Sequence, residues 1–137
     1  MIGIIAGAFD VIHPGYILAF VEAKQHCHKL VVCLHEDPSI ERPEKVKPIL
    51  TLGERTMILD AIKYVDEVIP YQTEADFLEI LKRVDPHVRF LGQDYEIGLD
   101  KITGAELNIP VHFLDRSHDW SATKFKKMIH IQMIGEV

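Results

Sequence analysis

The sequence has few cysteines, no long apolar run and no excess of positive charge, and each absence excludes a class of protein. Two cysteines among 137 residues, Cys27 and Cys33, provide no disulfide framework, which favours reduced thiols and a cytoplasmic location. The longest apolar runs have the length of a strand, so no membrane span is expected. The net charge of −6 gives no general attraction to nucleic acid or anionic lipid, so a polyanionic ligand must be met by local cations.

Strand and helix signals alternate along the chain, and 47% hydrophobic content is ample for one core. We therefore expect one domain over residues 1–137, with a Rossmann-like α/β fold and a five-stranded parallel sheet covered by helices on both faces. The predicted strands are 1–6, 30–34, 65–69, 88–91 and 111–114. The predicted helices are 17–23, 51–62, 73–81, 99–107 and 121–133. Alternation alone fits a flavodoxin-like receiver or a redox domain equally well.

Two local patterns add detail to this interpretation. Thr51 and Glu54 form a capping box, which predicts a helix start at that point. The last helix is expected to turn four apolar side chains inward, those of Phe125, Met128, Ile129 and Met133.

A cluster of histidines and cysteines raises the alternative of a zinc site. Its members are His26, Cys27, His28, Cys33 and His35. The paired C-x-x-C or H-x-x-x-H spacing of zinc sites is missing, however. The plainer interpretation, which we favour, places Cys27 on the inner face of the first helix and Cys33 within a buried strand.

The segment 7–16, Gly-Ala-Phe-Asp-Val-Ile-His-Pro-Gly-Tyr, joins the first strand to the first helix. We expect Gly7 to adopt a backbone shape closed to other residues, and Pro14 to occupy the first helical turn. Such a turn directs amide N–H groups and the positive end of a helix dipole at one point, which favours an anion. His13 adds a side chain able to donate to a phosphate oxygen.

At these residues the chain resembles the nucleotidyltransferases that carry an H-x-G-H motif, and among them the cytidylyltransferases, with glycerol-3-phosphate cytidylyltransferases the nearest. The family pattern is G-x-F-D-x-x-H-x-G-H. Five residues fit it, namely Gly7, Phe9, Asp10, His13 and Gly15. Tyr16 stands where the family has its second histidine. A tyrosine hydroxyl carries no positive charge near neutral pH, which leaves three outcomes open: a slow enzyme, an enzyme that uses another cation there, or a binding protein. His118 is a candidate replacement donor.

Three further segments carry the resemblance. The first has the K-x-K pair Lys45 and Lys47, followed by Arg55 and Lys63. The second contains Gly92 and Asp94 at the end of the fourth strand. The third resembles R-T-x-G-I-S-T-T and is matched by Arg116, Ser121 and Thr123, whereas Asp119, Trp120 and Ala122 depart from it. Ser121 also has the position of a helix N-cap.

The resemblance implies transfer of CMP from CTP to a small phosphorylated alcohol, glycerol-3-phosphate first, with release of pyrophosphate. It implies six catalytic residues: His13, Tyr16, Lys45, Lys47, Arg55 and Arg116. It implies nucleotide contacts from Gly7, Ala8, Phe9, Asp10, Gly15, Lys63, Gly92, Asp94, Ser121 and Thr123. Mg²⁺ is expected to bind through the triphosphate rather than through protein ligands, and the protein is expected to be a homodimer.

Two alternatives remain open at this stage. One is an adenylyltransferase acting on a sugar phosphate, because such enzymes share the opening and closing motifs. The other is a nucleotide-binding protein that has lost turnover. No nucleic-acid or membrane partner is expected.

Overall fold

A computed structural model describes residues 1–92 and 98–135 of the chain. Strands and helices alternate as the sequence predicts. The strands are β1 (Ile2–Gly7), β2 (Lys29–His35), β3 (Glu67–Tyr71), β4 (Val88–Gly92) and β5 (Val111–Leu114). The α-helices are α1 (Pro14–Lys24), α2 (Leu52–Asp60), α3 (Glu74–Val84) and α4 (Ala122–Ile134). No helix of the described residues is both long enough and apolar enough to cross a membrane.

The five strands form one parallel sheet in the order β3-β2-β1-β4-β5. This confirms the Rossmann-like architecture. β2 is buried from Leu30 to His35, which agrees with its continuous apolar sequence. β3 extends past Pro70 to Tyr71, because β3 is an edge strand and a proline there removes no interior hydrogen bond.

Helices pack on both faces of the sheet, as expected. On one face, Ile5 and Val32 contact a core cluster that includes Phe20 of α1 and Leu59 of α2. On the other face, Ile4 and the neighbouring strand residues pack with Phe77 and Leu81 of α3 in a second cluster. The alternation of side chains along each strand supplies both clusters from the same segments.

Local capping signals set the starts of α2 and α3. Thr51 Oγ1 accepts from the Glu54 N–H at 3.1 Å, and Glu54 Oε1 accepts from the Thr51 N–H at 2.9 Å. The capping box is thus confirmed. Thr73 and Asp76 form the same reciprocal pair at the start of α3. The weak helix expected over 99–107 is instead two short 3₁₀ segments, the second at Ala105–Leu107.

The last helix departs from expectation. Met128, Ile129 and Met133 do not face the core, since they are 49%, 44% and 79% exposed. The apolar residues of α4 lie on more than one face of the helix, and Ile131 and Ile134 are exposed as well. Among the described residues of α4, only Ala122, Phe125 and Lys126 are partly buried, and all three lie in its first turns.

The strand order reverses direction at β1, which lies between β2 and β4. The carboxyl ends of these strands therefore open on a crevice between the connections that leave them. In open α/β sheets ligands bind at such a switch point. The segment 7–16 leaves β1 at this place.

Candidate active site at the carboxyl edge of the sheet

The turn from β1 into α1 is strained at Phe9 and not at Gly7. Phe9 has a φ of +45°, a left-handed conformation that is costly for a bulky side chain, whereas Gly7 does not have a positive φ. Our expectation for Gly7 was wrong. A Cβ on Gly7 would still lie 3.3 Å from the Phe9 ring, so the position favours glycine for space. Phe9 is buried against Tyr16 and Phe20, and this packing holds the strained backbone in place.

His13 caps α1 with its side chain. Its Nδ1 accepts from the Gly15 N–H at 3.0 Å, and its backbone oxygen accepts from the Tyr16 N–H at 3.0 Å. Because Nδ1 is an acceptor, the neutral ring carries its proton on Nε2. His13 is 5% exposed, and its Nε2 has no hydrogen-bond partner among the described residues. A buried donor of this kind is rare in folded proteins and indicates a ligand acceptor.

These bonds change how α1 can bind an anion. Pro14 has no N–H, and the next two amides, of Gly15 and Tyr16, are already used by His13. The helix start therefore offers the Nε2–H of His13 in place of free amides. The bond from Gly15 to Nδ1 polarises the ring and strengthens that donor.

Aromatic rings enclose His13. Tyr16 stacks on it with ring centroids 4.3 Å apart, and Trp120 stacks at 5.6 Å with an interplanar angle of 15°. Phe125 meets it edge-on at 6.0 Å. Burial, and after it the charges of His118 and Arg116, lower the pKa of His13. The ring is therefore a neutral donor near neutral pH.

Tyr16 occupies the place of the family's second histidine as a packing residue. Its ring contacts the larger core cluster as well as His13. Burial and then the charge of Asp10 raise the pKa of Tyr16, so its hydroxyl stays neutral. Tyr16 supplies no positive charge to the site.

Asp10 joins three segments of the chain. Its carboxylate accepts from the Ile49 and Leu50 N–H groups at 2.7 and 2.9 Å and from Lys126 Nζ at 2.8 Å. Burial raises the pKa of Asp10, but these bonds outweigh it and hold the pKa below the usual value. Since both oxygens are engaged, the geometry favours a positioning role over the direct nucleotide contact expected from the motif.

Arg55 is 2% exposed and donates only to backbone carbonyls among the described residues. The acceptors are the oxygens of Ala8, His35, Glu36 and Leu50, at 2.6 to 3.1 Å. Four donated bonds leave little of the guanidinium for a phosphate. The structure thus places Arg55, like Asp10, in the frame of the site, where it fastens the opening turn to the end of β2.

The closing segment 115–121 reaches the opening turn through Trp120. A Cβ added to Gly15 would lie 2.6 Å from Trp120 Cβ and 2.8 Å from His13 Cε1, so only glycine allows this approach. Arg116 is exposed, and its charge is the smallest of the three causes that lower the pKa of His13, after burial and His118. The two motifs therefore meet on the same side of the molecule.

The start of α4 is the second anion-binding candidate. Ser121 Oγ accepts from the Lys124 N–H at 3.1 Å, which confirms it as the N-cap, while Thr123 is exposed in the first turn. The first amides of an α-helix have no partner within the helix. The acidic Asp119 nearby is paired with Lys124 Nζ at 2.7 Å, which offsets its charge.

The loop before α2 and the end of β4 hold three other sequence candidates. Lys45 and Lys47 are exposed on the loop that Asp10 holds at Ile49, and neither forms an ion pair within the described part of the chain. Gly92 ends β4 opposite Leu114. Asp94 lies outside the described residues.

Lys63 is not at this edge of the sheet. It follows α2, which runs back to the start of the strands, and Asp66 three residues later bonds the Leu30 N–H where β2 begins. Its predicted nucleotide contact is therefore corrected. Lys63 Nζ instead lies 5.2 Å from the centre of the Tyr64 ring.

Sequence reasoning missed Trp120, Phe125 and Lys126. The lone tryptophan was a usable signal, since a large aromatic ring gains stability by packing against other rings. The pair of Lys126 with Asp10 spans 116 positions and leaves no local mark in the sequence. Phe125 was assigned to the core but contacts His13 and Trp120.

Within residues 1–92 and 98–135, no group of three His, Cys, Asp or Glu side chains is arranged to hold a metal ion. The zinc alternative at His26 to His35 therefore finds no support in the structure. Cys27 and Cys33 are buried free thiols, and Cys33 lies within β2 as expected, but Cys27 follows the end of α1 at Lys24 instead of lying on that helix.

These features define a Rossmann-like α/β protein with a candidate anion site at its switch point. A profile of the cytidylyltransferase-like family matches residues 4–131. The chain therefore belongs to the cytidylyltransferase-like family of nucleotidyltransferases, as its motifs predicted.

Three similar proteins illustrate the relationship. The bifunctional protein HldE of Gluconacetobacter diazotrophicus is 33% identical over 109 residues, which cover 77% of this chain and 22% of HldE. The FAD synthase of Thermococcus kodakarensis is 32% identical over 99 residues, covering 72% of this chain and 66% of that enzyme. The crystal structure of the lipopolysaccharide core biosynthesis protein from Thermoplasma volcanium superposes with a TM-score of 0.66 at 27% identity, covering 82% and 93% of the two chains. This chain thus spans about a fifth of the length of HldE.

Proposed function

We propose that this protein transfers a nucleoside monophosphate from a nucleoside triphosphate to a phosphorylated acceptor and releases pyrophosphate. The observation that carries the proposal is the buried Nε2 of His13, which has no partner among the described residues. It lies at the start of α1 and near the exposed Arg116, where a triphosphate would satisfy it.

The chemistry requires little covalent work from the protein. An acceptor phosphate oxygen attacks the α-phosphorus, the bond from that phosphorus to the α,β-bridging oxygen breaks, and pyrophosphate leaves with the electron pair. Negative charge increases on the phosphate oxygens in the transition state. Preorganised donors and cations stabilise that charge and hold the reactants in line.

Three kinds of group meet these needs. His13 donates its Nε2–H to a phosphate oxygen from a fixed, polarised ring. The first amides of α4 and its dipole face the same crevice, with Arg116 beside them. Lys45 and Lys47 are exposed on the loop before α2 and would pair with the β- and γ-phosphates.

Mg²⁺ is proposed to bind through the oxygens of the triphosphate. The carboxylate of Asp10 does not suit a metal, because Ile49, Leu50 and Lys126 occupy it. A triphosphate-bound ion would neutralise charge on the leaving pyrophosphate. The proposed reaction requires no protein ligand to the magnesium ion.

Two donor nucleotides deserve separate tests. The motif resemblance favours CTP, with glycerol-3-phosphate as acceptor. The 32% identity to an FAD synthase favours ATP, since FAD contains an adenylyl group joined to a flavin phosphate. The homodimer and the cytoplasmic location remain predictions.

The test is a pyrophosphate-release assay with CTP and with ATP, each offered glycerol-3-phosphate, a sugar phosphate and flavin mononucleotide. We expect release with one donor and one acceptor class. Nucleotide binding by calorimetry without release in any combination would contradict the proposal and indicate a binding protein that has lost turnover.

A matched pair of variants connects this assay to the site. His13→Asn keeps an acceptor for the Gly15 N–H but removes the Nε2 donor. His87→Asn makes the same change at an exposed histidine whose Nδ1 accepts from the Ile2 N–H at 3.0 Å, at the other edge of the sheet. We expect turnover to fall about 10²–10³-fold in the first variant only.

A further inference from the structure

His118 repeats the local geometry of His13. Its Nδ1 accepts from the Trp120 N–H at 3.0 Å, as Nδ1 of His13 accepts from the Gly15 N–H at 3.0 Å. Each histidine bonds the amide two positions ahead and stands just before a helix. The neutral ring of His118 therefore also carries its proton on Nε2.

The two histidines are linked through Trp120. The Trp120 backbone holds His118, its ring stacks on His13, and its Cβ packs against Gly15. The bond from the Trp120 N–H to His118 and the stacking of the Trp120 ring on His13 connect the two histidines through this one residue. His118 is half-buried, so its ring is partly exposed to solvent.

Tyr16 leaves the site without the second histidine of the family motif, and His118 is able to supply an imidazole donor. Tyr16 replaces the second motif histidine. Its ring stacks on His13 and packs against the core. A second imidazole donor is therefore missing from α1.

We propose that His118 contacts the triphosphate through its Nε2–H and supplies, from the loop before α4, the donor that Tyr16 does not. The inference rests on the proposed nucleotidyl transfer. It differs from a purely structural role, in which His118 would only hold Trp120 in position.

Substitution of His118 by asparagine and by glutamine distinguishes contact with the triphosphate from positioning of Trp120. In His118→Asn the side-chain oxygen still accepts from the Trp120 N–H while the Nε2 donor is lost. In His118→Gln an N–H remains near the place of Nε2. His87→Asn is the control, because that histidine has the same bond to a backbone amide at the opposite edge. Trp120 is the one tryptophan of the chain, so its fluorescence reports the position of the loop.

We expect His118→Asn to lower kcat for pyrophosphate release about 10²-fold, with KM changed little, because a donor that acts on developing charge affects the transition state most. The fluorescence of Trp120 should stay at the wild-type value. His118→Gln should recover part of the loss. Adding Tyr16→His to His118→Asn should recover at least about tenfold, since the donor returns at its family position.

Several results would overturn the inference. One is a kcat of His118→Asn equal to that of His87→Asn. Another is an equal loss in the Asn and Gln variants together with shifted Trp120 fluorescence, which would assign His118 a structural role. Wild-type protein that releases no pyrophosphate would remove the proposed function and this inference together, whereas an active wild type with an unaffected His118→Asn removes the inference alone.

Discussion

The turn before α1 and the loop before α4 both lead into a helix start at the same crevice, but they are built differently. In the first, Asp10, His13 and Gly15 are buried, and the backbone is strained at Phe9. In the second, Asp115, Arg116, Ser117 and Asp119 are exposed. One segment is a fixed frame that holds a single buried donor. The other carries cations and hydroxyls that can adjust to a ligand.

Two arginines, Arg55 of α2 and Arg116 of the loop before α4, show a similar contrast. Arg55 and Arg116 both fit the family pattern, yet Arg55 is spent on backbone carbonyls while Arg116 reaches solvent beside His13. A buried guanidinium of this kind stabilises the loops around a site, and an exposed one remains available for a phosphate. A motif that contains an arginine therefore does not reveal which task it performs.

The largest effects are expected from substitution of Arg55 and Arg116, which should change different quantities. Arg55→Gln leaves several buried carbonyls without donors, so the free energy of unfolding should fall by about 3–5 kcal/mol. Arg116→Gln should change it by less than about 0.5 kcal/mol and lower turnover about 10²–10³-fold. Urea unfolding and pyrophosphate release measure the two quantities. If the Arg55→Gln variant is as stable as the Arg116→Gln variant, Arg55 does not have the structural role assigned to it.

Glycine substitutions test how closely the two regions meet. Gly15→Ala places a methyl group 2.6 Å from Trp120 Cβ, and the strain should cost about 1–3 kcal/mol and shift the Trp120 fluorescence. Gly53→Ala is the control, because a Cβ there meets nothing within 4 Å and α2 should gain up to about 1 kcal/mol. If both alanine variants are stabilised, Trp120 does not pack on Gly15.

A smaller effect is expected at the N-cap of α4. Ser121→Ala removes the acceptor of the Lys124 N–H and should cost about 1 kcal/mol in the free energy of unfolding. Thr123→Ala, two positions later and exposed, should stay within about 0.5 kcal/mol of wild type. Thermal unfolding of both variants checks the difference. Equal losses would contradict the assignment of Ser121 as the cap.

The smallest effect concerns pH. Burial lowers the pKa of His13 in the folded protein, so below the ordinary histidine value the unfolded chain binds a proton that the folded chain resists. The free energy of unfolding should therefore fall as the pH drops from about 7.5 to about 5.5, through the usual pKa near 6.5. His13→Asn should show a shallower fall in urea titrations at the two pH values. If the free energy of unfolding falls equally with pH in the wild type and in His13→Asn, His13 is exposed to solvent in the folded protein.

Local signals predicted most of the fold. Five apolar segments and the Thr51 capping box were assigned correctly because each depends on residues a few positions apart. The burial of α4 was not, because its apolar residues surround the helix and no single face is marked.

The residues of the candidate site could be predicted from the sequence, but the role of each residue could not. His13 was located by the family motif, and Ser121 by its position before a helix. The tasks of Asp10 and Arg55 depend on partners such as Lys126 and the Ala8 carbonyl, which are 116 and 47 positions away. Such pairs exist only after the sheet has assembled.

The central claim is that Nε2–H of His13 binds the triphosphate. The most direct measurement is the ¹⁵N and ¹H resonance of that ring nitrogen during titration with the magnesium complex of the nucleotide that supports pyrophosphate release. We predict a saturable shift at His13 with the ring nitrogens of His87 unchanged. Saturated nucleotide binding by calorimetry with no shift at His13 would contradict the account.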